Sequence, residues 1–164
     1  MRSSRRDLVV AETSNFQVSG VGSLAGTRLT VGYPSSWFTE LSDRWPCRYF
    51  DPHPFVILPA TDAFSWAVTV SRAATSAAAV AASERSAGTV VRQFSTRVAG
   101  FPATVLDLKT SGYALYPAGW RYRLYVVNTG TRAVTIASTA AAPGSRATAN
   151  ATAAAEIAAL LRRG

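Results

Sequence analysis

The clearest pattern in the chain is an alternation of apolar and polar side chains on both sides of one turn. Arg121-Tyr-Arg-Leu-Tyr-Val-Val127 precedes the turn sequence Asn-Thr-Gly-Thr, and Ala133-Val-Thr-Ile-Ala-Ser138 follows it. A period of two residues is typical of a strand with one buried face, and a short turn that contains glycine joins antiparallel neighbours. The segment between residues 119 and 138 therefore predicts a β-hairpin.

Weaker patterns predict the remaining elements. Strands are predicted at 27–31, 66–72, 89–98 and 104–109, with a further short one at 113–116. Helices are predicted after Ser35 or Ser36, in the alanine-rich segment that begins near Thr75 or Ser76 and stops before Gly88, and at 152–162. Four prolines make 42–65 irregular, and 140–150 is predicted to be a linker of small residues.

The connections between the predicted strands are too short for parallel crossovers, so the sheet should be antiparallel with helices packed on it. The chain has 164 residues, which is a suitable length for one domain with its own core. We predict a flexible basic tail at 1–14 and a single α+β domain at 15–164. Polar residues interrupt every apolar run before ~18 residues accumulate, so no transmembrane segment is expected.

The net charge of +8 comes from sixteen arginines and one lysine. These residues are dispersed along the chain and form no long basic run inside the domain, which argues against a nucleic-acid site and leaves an acidic protein as the more suitable partner. Cys47 is the only cysteine, so the fold needs no internal disulfide. The apolar stretch near the N-terminus is too short for a secretory signal, and we expect a cytoplasmic protein or an exported one without its leader. The oligomeric state is left open.

Four segments resemble the PsbP-like superfamily. They are Leu29-Thr-Val-Gly-Tyr-Pro-Ser-Ser-Trp37, Val98-Ala-Gly-Phe-Pro-Ala-Thr-Val105, the strand that begins at Arg121, and the closing helix. The superfamily includes the Ran-binding protein Mog, the extrinsic PsbP subunit of photosystem II and actinobacterial lipoproteins of the LpqN type. The resemblance implies an α/β/α sandwich, with helices on both faces of an antiparallel sheet of about six strands. It also implies a binding or assembly role without shared catalytic residues.

Aromatic and arginine side chains on a loop are common anchors of protein interfaces, and residues 43–59 are rich in both. The sequence therefore predicts a non-catalytic protein-binding or assembly module. One part of its binding surface is this loop, and the other is a basic strand edge. The candidate binding residues are Trp45, Arg48, Tyr49, Phe50, Phe55, Arg121, Arg123 and Tyr125.

The alternative is an enzyme, or a protein that binds a metal or a small molecule, with a pocket around Cys47, Asp51 and His53. A thiolate, a carboxylate and an imidazole can together hold zinc. Their spacing matches no closed zinc motif, and the sequence contains no Gly-x-Ser-x-Gly elbow and no phosphate-binding glycine loop. We therefore expect neither a cofactor nor a metal, and no catalytic residue is assigned.

Overall fold

The computed structural model describes residues 29–41, 47–57, 65–112, 116–130 and 132–163. The elements, in chain order, are β1 (Leu29–Val31), β2 (Phe38–Leu41), β3 (Cys47–Asp51), β4 (Val68–Arg72), α1 (Ala77–Ala87), β5 (Gly88–Val98), β6 (Phe101–Thr110), β7 (Arg121–Asn128), β8 (Ala133–Ser138), α2 (Ser145–Leu160) and β9 (Leu161–Arg163).

The dominant element is one antiparallel sheet of seven strands in the order β2-β3-β4-β8-β7-β6-β5. The predicted hairpin forms its centre: β7 pairs with β8 in a register that places Leu124 opposite Ala137 and Val127 opposite Val134. In its turn the Asn128 side chain accepts a hydrogen bond from the Gly130 amide, and Gly130 has a φ of 122°, which favours glycine. The predictions of a hairpin and of an antiparallel sheet are confirmed.

Alternate residues of the central strands enter two separate apolar clusters, one on each face of the sheet. Val105 and Val127 belong to the larger cluster, together with Ile157 of α2. Leu106 and Leu124 belong to the smaller cluster, together with Ala81 of α1. We call the first side the α2 face and the second side the α1 face.

Helix α1 matches its predicted limits because both of its ends carry local signals. The Ser76 hydroxyl accepts a hydrogen bond from the Ala79 amide at the N-terminus, as N-cap serines do. At the C-terminus, the Gly88 amide donates to the Glu84 carbonyl oxygen. A side chain on Gly88 would lie 2.8 Å from the Lys109 carbonyl oxygen, so this close approach to β6 requires glycine.

The predicted α/β/α sandwich is wrong. Strands hold 46% of the described residues and helices only 23%, with seven strands and two helices in place of two helix layers around about six strands. The 11 residues of α1 contact β5, β6, β7 and β8 but form no comparable contact with β3 or β4. The reason is therefore one of size: α1 is too short to cover the second face, and a large part of that face has no helix over it within the described ranges.

Three local predictions also fail. The helix expected after Ser35 is replaced by a turn, in which the Trp37 amide donates to the Pro34 carbonyl oxygen, and then by β2. The segment 42–65, expected to be irregular, contains β3, which pairs with β2 and β4. Helix α2 begins at Ser145, inside the predicted linker. Pairing with neighbouring strands overrides local preference in the first two cases, and the high helix propensity of alanine extends α2 in the third.

The predicted N-terminal tail at 1–14 and much of the predicted strand at 113–116 lie outside the described residues. Within the described ranges, no helix combines the length and apolar character needed to cross a bilayer.

Ile157→Ala tests the attachment of α2 to the sheet. The Ile157 side chain is fully buried in the larger cluster, so its truncation should lower the free energy of unfolding by about 2–5 kcal/mol. Val91→Ala is the matched control because Val91 is 46% exposed, and we expect it to change stability by no more than about 0.5 kcal/mol. Urea unfolding measures both. Equal effects of the two substitutions would contradict the described packing.

Candidate functional site

A groove lies on the α1 face, beside the C-terminal end of α1 and over the part of the sheet that this helix leaves open. Its floor consists of small side chains on β4 and β8, where Thr69, Ser71 and Ala137 point to the same side of the sheet. The Ser71 and Thr135 hydroxyls are 2.7 Å apart and hydrogen-bonded, so two of the polar atoms on this face satisfy each other. The floor is low because no large aliphatic residue occupies these positions.

One end of the groove is aromatic. The Tyr49 and Trp66 rings stack with their centroids 4.1 Å apart and their planes inclined by 29°. The indole Nε1 donates a hydrogen bond of 2.9 Å to the Thr69 hydroxyl, which fixes the orientation of Trp66. The Phe55 ring packs at a tilt with its centroid 6.3 Å from that of Trp66. The three rings form a pre-organised apolar wall.

The opposite end of the groove carries two tyrosines. The Tyr122 hydroxyl donates a hydrogen bond of 3.1 Å to the Glu84 carboxylate of α1. Burial, followed by the negative charge and the hydrogen bond of Glu84, raises the pKa of Tyr122 well above its ordinary value. Burial also raises the pKa of Tyr116, whose ring lies 5.6 Å from that of Trp120. Both phenols are therefore held in their neutral form.

The groove has a volume of about 900 Å³ and is mainly apolar. Arg72 is the only Asp, Glu, Lys, Arg or His residue among the described residues that line it. Such a site can bind an uncharged molecule by contact area and ring stacking, with hydroxyl groups available for a few hydrogen bonds. Cavities that bind drug-sized ligands have volumes of roughly 300–1,000 Å³, so the volume is compatible with a small organic molecule.

The predicted protein-binding residues do not form one surface. Tyr49 and Phe55 lie near the groove, but the neighbouring Phe50 is fully buried on the α2 face, where its ring packs against Tyr33. Tyr125 is also buried there. Trp45 lies outside the described residues.

Two of the predicted arginines have partners inside the domain. Arg48 is half-buried, and its guanidinium donates to the Thr39 hydroxyl at 3.2 Å; burial lowers its pKa. Arg123 forms a bidentate ion pair with Asp107, with N···O distances of 2.7 and 3.0 Å. The hydrogen bond to Asp107 raises the pKa of Arg123.

The alternative pocket around Cys47, Asp51 and His53 does not assemble. Cys47 and Asp51 stand at opposite ends of β3, about 13 Å apart at the usual rise of a strand. The Asp51 carboxylate accepts a hydrogen bond from the His53 amide at 2.7 Å, while the imidazole is 86% exposed. Among the described residues, no three of the Cys, His, Asp and Glu side chains come together as a metal site. Cys47 instead lines the groove.

Sequence reasoning missed most of the groove. The candidate binding residues include Tyr49 but not Trp66, whose ring stacks on Tyr49 and lines the groove. A signal was present in the sequence: Thr69, Ser71, Thr135 and Ala137 are all small at alternating positions of two strands. A covered sheet face would carry large aliphatic residues at such positions.

Comparison with known proteins identifies no family for this chain. No family model matches the sequence, and no curated protein matches it. A crystal structure from Bacteroides thetaiotaomicron VPI-5482 is similar over 83% of this chain, with 15% sequence identity and a TM-score of 0.46. This chain spans 45% of the length of that protein. None of these comparisons tests the PsbP-like resemblance, which remains a hypothesis.

The contact between Tyr122 and Glu84 should make stability depend on pH in the alkaline range. The unfolded chain releases the Tyr122 proton at pH ~10, whereas the folded state retains it to higher pH. The free energy of unfolding should therefore fall as the pH rises above about 10. Tyr122→Phe should reduce this fall, and Glu84→Gln should reduce it partly because the carboxylate charge is removed. Urea unfolding across a pH series measures how steeply the free energy of unfolding falls with pH in the parent protein and in the two variants. Identical slopes in all three proteins would contradict the described contact.

Proposed function

We propose that the protein is a non-catalytic binding protein for an uncharged, ring-bearing apolar molecule, which occupies the groove on the α1 face. One observation carries the proposal: a floor of small residues lies between two aromatic ends on a part of the sheet that no described helix covers. A planar molecule on this floor would contact the Tyr49–Trp66 stack at one end and Tyr122 at the other. The site differs from the predicted pocket around Cys47, Asp51 and His53, although it includes Cys47.

The energetic support comes from apolar contact. Burial of apolar surface contributes roughly 25 cal/mol per Å², and an aromatic pair in an offset or tilted arrangement adds about 0.5–1.5 kcal/mol. Trp66 is already held by Thr69, so little rotational freedom is lost when a ligand ring packs against it. Hydroxyl groups at the floor of the groove can orient the ligand by hydrogen bonds to a polar substituent on its ring.

Binding is favoured over catalysis because the described lining lacks a suitable acid or base. A tyrosine phenol is already neutral at pH ~7 because its ordinary pKa is about 10, and burial raises the pKa of Tyr116 and Tyr122 further from the working range. Glu84 is engaged by Tyr122. General acid–base chemistry near neutral pH requires groups whose pKa values lie near the working pH. The arrangement therefore favours a carrier, sensor or storage role for the groove.

A substitution that fills the floor of the groove tests the proposal. Ala137→Phe should occupy the space above β8 and lower the affinity for the uncharged fluorophore Nile red by at least about tenfold. Thr96→Phe is the matched control, because it adds the same ring at an exposed position of β5 away from the groove. Fluorescence titration measures both variants, and thermal melts confirm that each is folded. Equal affinities for the two folded variants would overturn the proposal.

A second candidate function is the binding of an acidic partner protein, and the edge strand β5 favours it. Within the described residues β5 pairs only with β6, and most of its 11 residues are exposed, Arg92 and Arg97 among them. An extended acidic segment could add a strand at this edge through main-chain hydrogen bonds. The arginines would attract it.

Charge reversal at the edge tests this second candidate. Arg97→Glu should weaken the binding of a fluorescently labelled acidic peptide by about tenfold or more, whereas Arg146→Glu, an exposed arginine on α2, should weaken it much less. Fluorescence anisotropy measures both affinities. Equal losses of affinity in the two variants would show that the net charge alone attracts the peptide, and would contradict β5 as its binding site.

A further inference from the structure

We propose that a second cavity, on the α2 face, binds a small organic anion through a phosphate or carboxylate group. The cavity lies between strands β5–β7 and the N-terminal half of α2, and its volume is about 590 Å³. Tyr122 borders both cavities, but the arginines of this cavity lie on the opposite face of the sheet from the floor of the groove, so the proposal does not depend on ligand binding in the groove. Three arginines line one wall, and small residues of α2 line the other.

The first argument is the local charge. Arg92, Arg121 and Arg123 line the cavity together with one carboxylate, that of Asp107. None of the other four acidic residues that the structure describes lines it. Lys109 is the register partner of Arg121 on the adjacent strand and adds a further positive charge to the same region. Positive charge collected against a low-dielectric wall attracts anions.

The second argument is an unused hydrogen-bond donor. Nε of Arg121 has no hydrogen-bond partner among the described residues and almost no accessible surface, so a ligand in the cavity would meet the terminal nitrogens of this guanidinium. Guanidinium nitrogens pair readily with oxygen anions. Arg123 is held by Asp107 in a bidentate pair, and the Arg92 guanidinium lies 4.6 Å from the centre of the Phe94 ring. Arg121 is therefore the residue that best fits a bound oxygen anion.

The third argument concerns the opposite wall. Ala147, Ala151 and Ala155 follow one another at intervals of one turn and face the cavity, which leaves room for the apolar part of a ligand. The first turn of α2 contains no acidic residue, and its N-cap, Gly144, provides no side-chain hydrogen bond. The helix end adds a weak attraction for anions to a site that the arginines already define.

Arginine pairs with phosphate and with carboxylate in the same planar, bidentate geometry, so the shared chemistry is an oxygen anion on an apolar body. Phenyl phosphate and phenylacetate test whether the bound anion is a phosphate or a carboxylate. Phenol, which is uncharged at neutral pH, is the reference ligand. Isothermal titration calorimetry should show binding of at least one of the two anions and a fall in its affinity as salt is added. Binding of phenol with the same affinity as the anions would overturn the proposal.

Two substitutions locate the anion. Arg121→Gln should lower the affinity for the anion that binds by at least about tenfold, while Arg162→Gln, which removes an exposed arginine of β9 outside the cavity, should leave it unchanged. Equal losses in these two variants would show diffuse attraction to the basic surface and would overturn the proposal.

Ala151→Leu provides the test that preserves charge. It keeps every arginine and fills the cavity from the α2 side, so it should also weaken binding of the same anion by about tenfold or more. Thermal melts confirm that the variant is folded, and binding of Nile red at the groove should be unchanged. An unchanged affinity for the anion in folded Ala151→Leu would place the anion outside this cavity and would overturn the proposal.

Discussion

The packing of α2 against one face of the seven-stranded sheet is the contact on which the rest of the structure depends. Ile157 is fully buried there, with Ala154 and Ala158 beside it, so small side chains let the helix approach the sheet closely. The chain then continues directly into β9, which pairs with β1. This one helix therefore closes the larger apolar cluster and brings the two ends of the described chain together.

An unequal distribution of helices between the two faces follows from this arrangement. Helix α1 is the shorter helix and packs on the opposite face through Ala81, toward the β6–β8 part of the sheet. The remaining surface over β3, β4 and β8 carries small and aromatic side chains. A sheet face of this composition contributes less burial to folding than an aliphatic one, but it leaves space for a ligand.

The two cavities differ in chemistry because successive residues of a strand point to opposite faces. On β7, Tyr122 borders both cavities, whereas Arg121 and Arg123 line only the cavity beneath α2. The Arg123–Asp107 pair bridges β7 and β6 in this region.

The elements that could be predicted from the sequence are those set by local signals. The hairpin has its alternation and turn, and α1 has its caps at Ser76 and Gly88. The misplacement of the aromatic binding residues has its cause in β3, which lies in a segment predicted to be irregular. Tyr49 and Phe50 were therefore placed on one surface, although adjacent residues of a strand must point to opposite sides.

The alternation of side chains between the two faces of a strand also explains why the sequence predicted only part of the candidate site. Tyr49 lies at the groove and Phe50 in the core, and this difference depends on pairing between β3 and β4, which are about twenty residues apart in the chain. Coverage of a sheet face by a helix is likewise a tertiary property. The small residues of β4 and β8 are a local sign of an open face, but the position of α1 relative to β4 depends on the order in which the strands pair.

The central claim is that the α1 face of the sheet is a binding surface. Methyl NMR of alanine residues during a titration with Nile red tests it most directly. The account predicts that shifts concentrate at Ala87, Ala137 and Ala140, which line the groove, and leave Ala153, Ala154 and Ala158 of α2 unchanged. Shifts that concentrate at the α2 alanines, or no shifts at the groove at saturating probe, would contradict it.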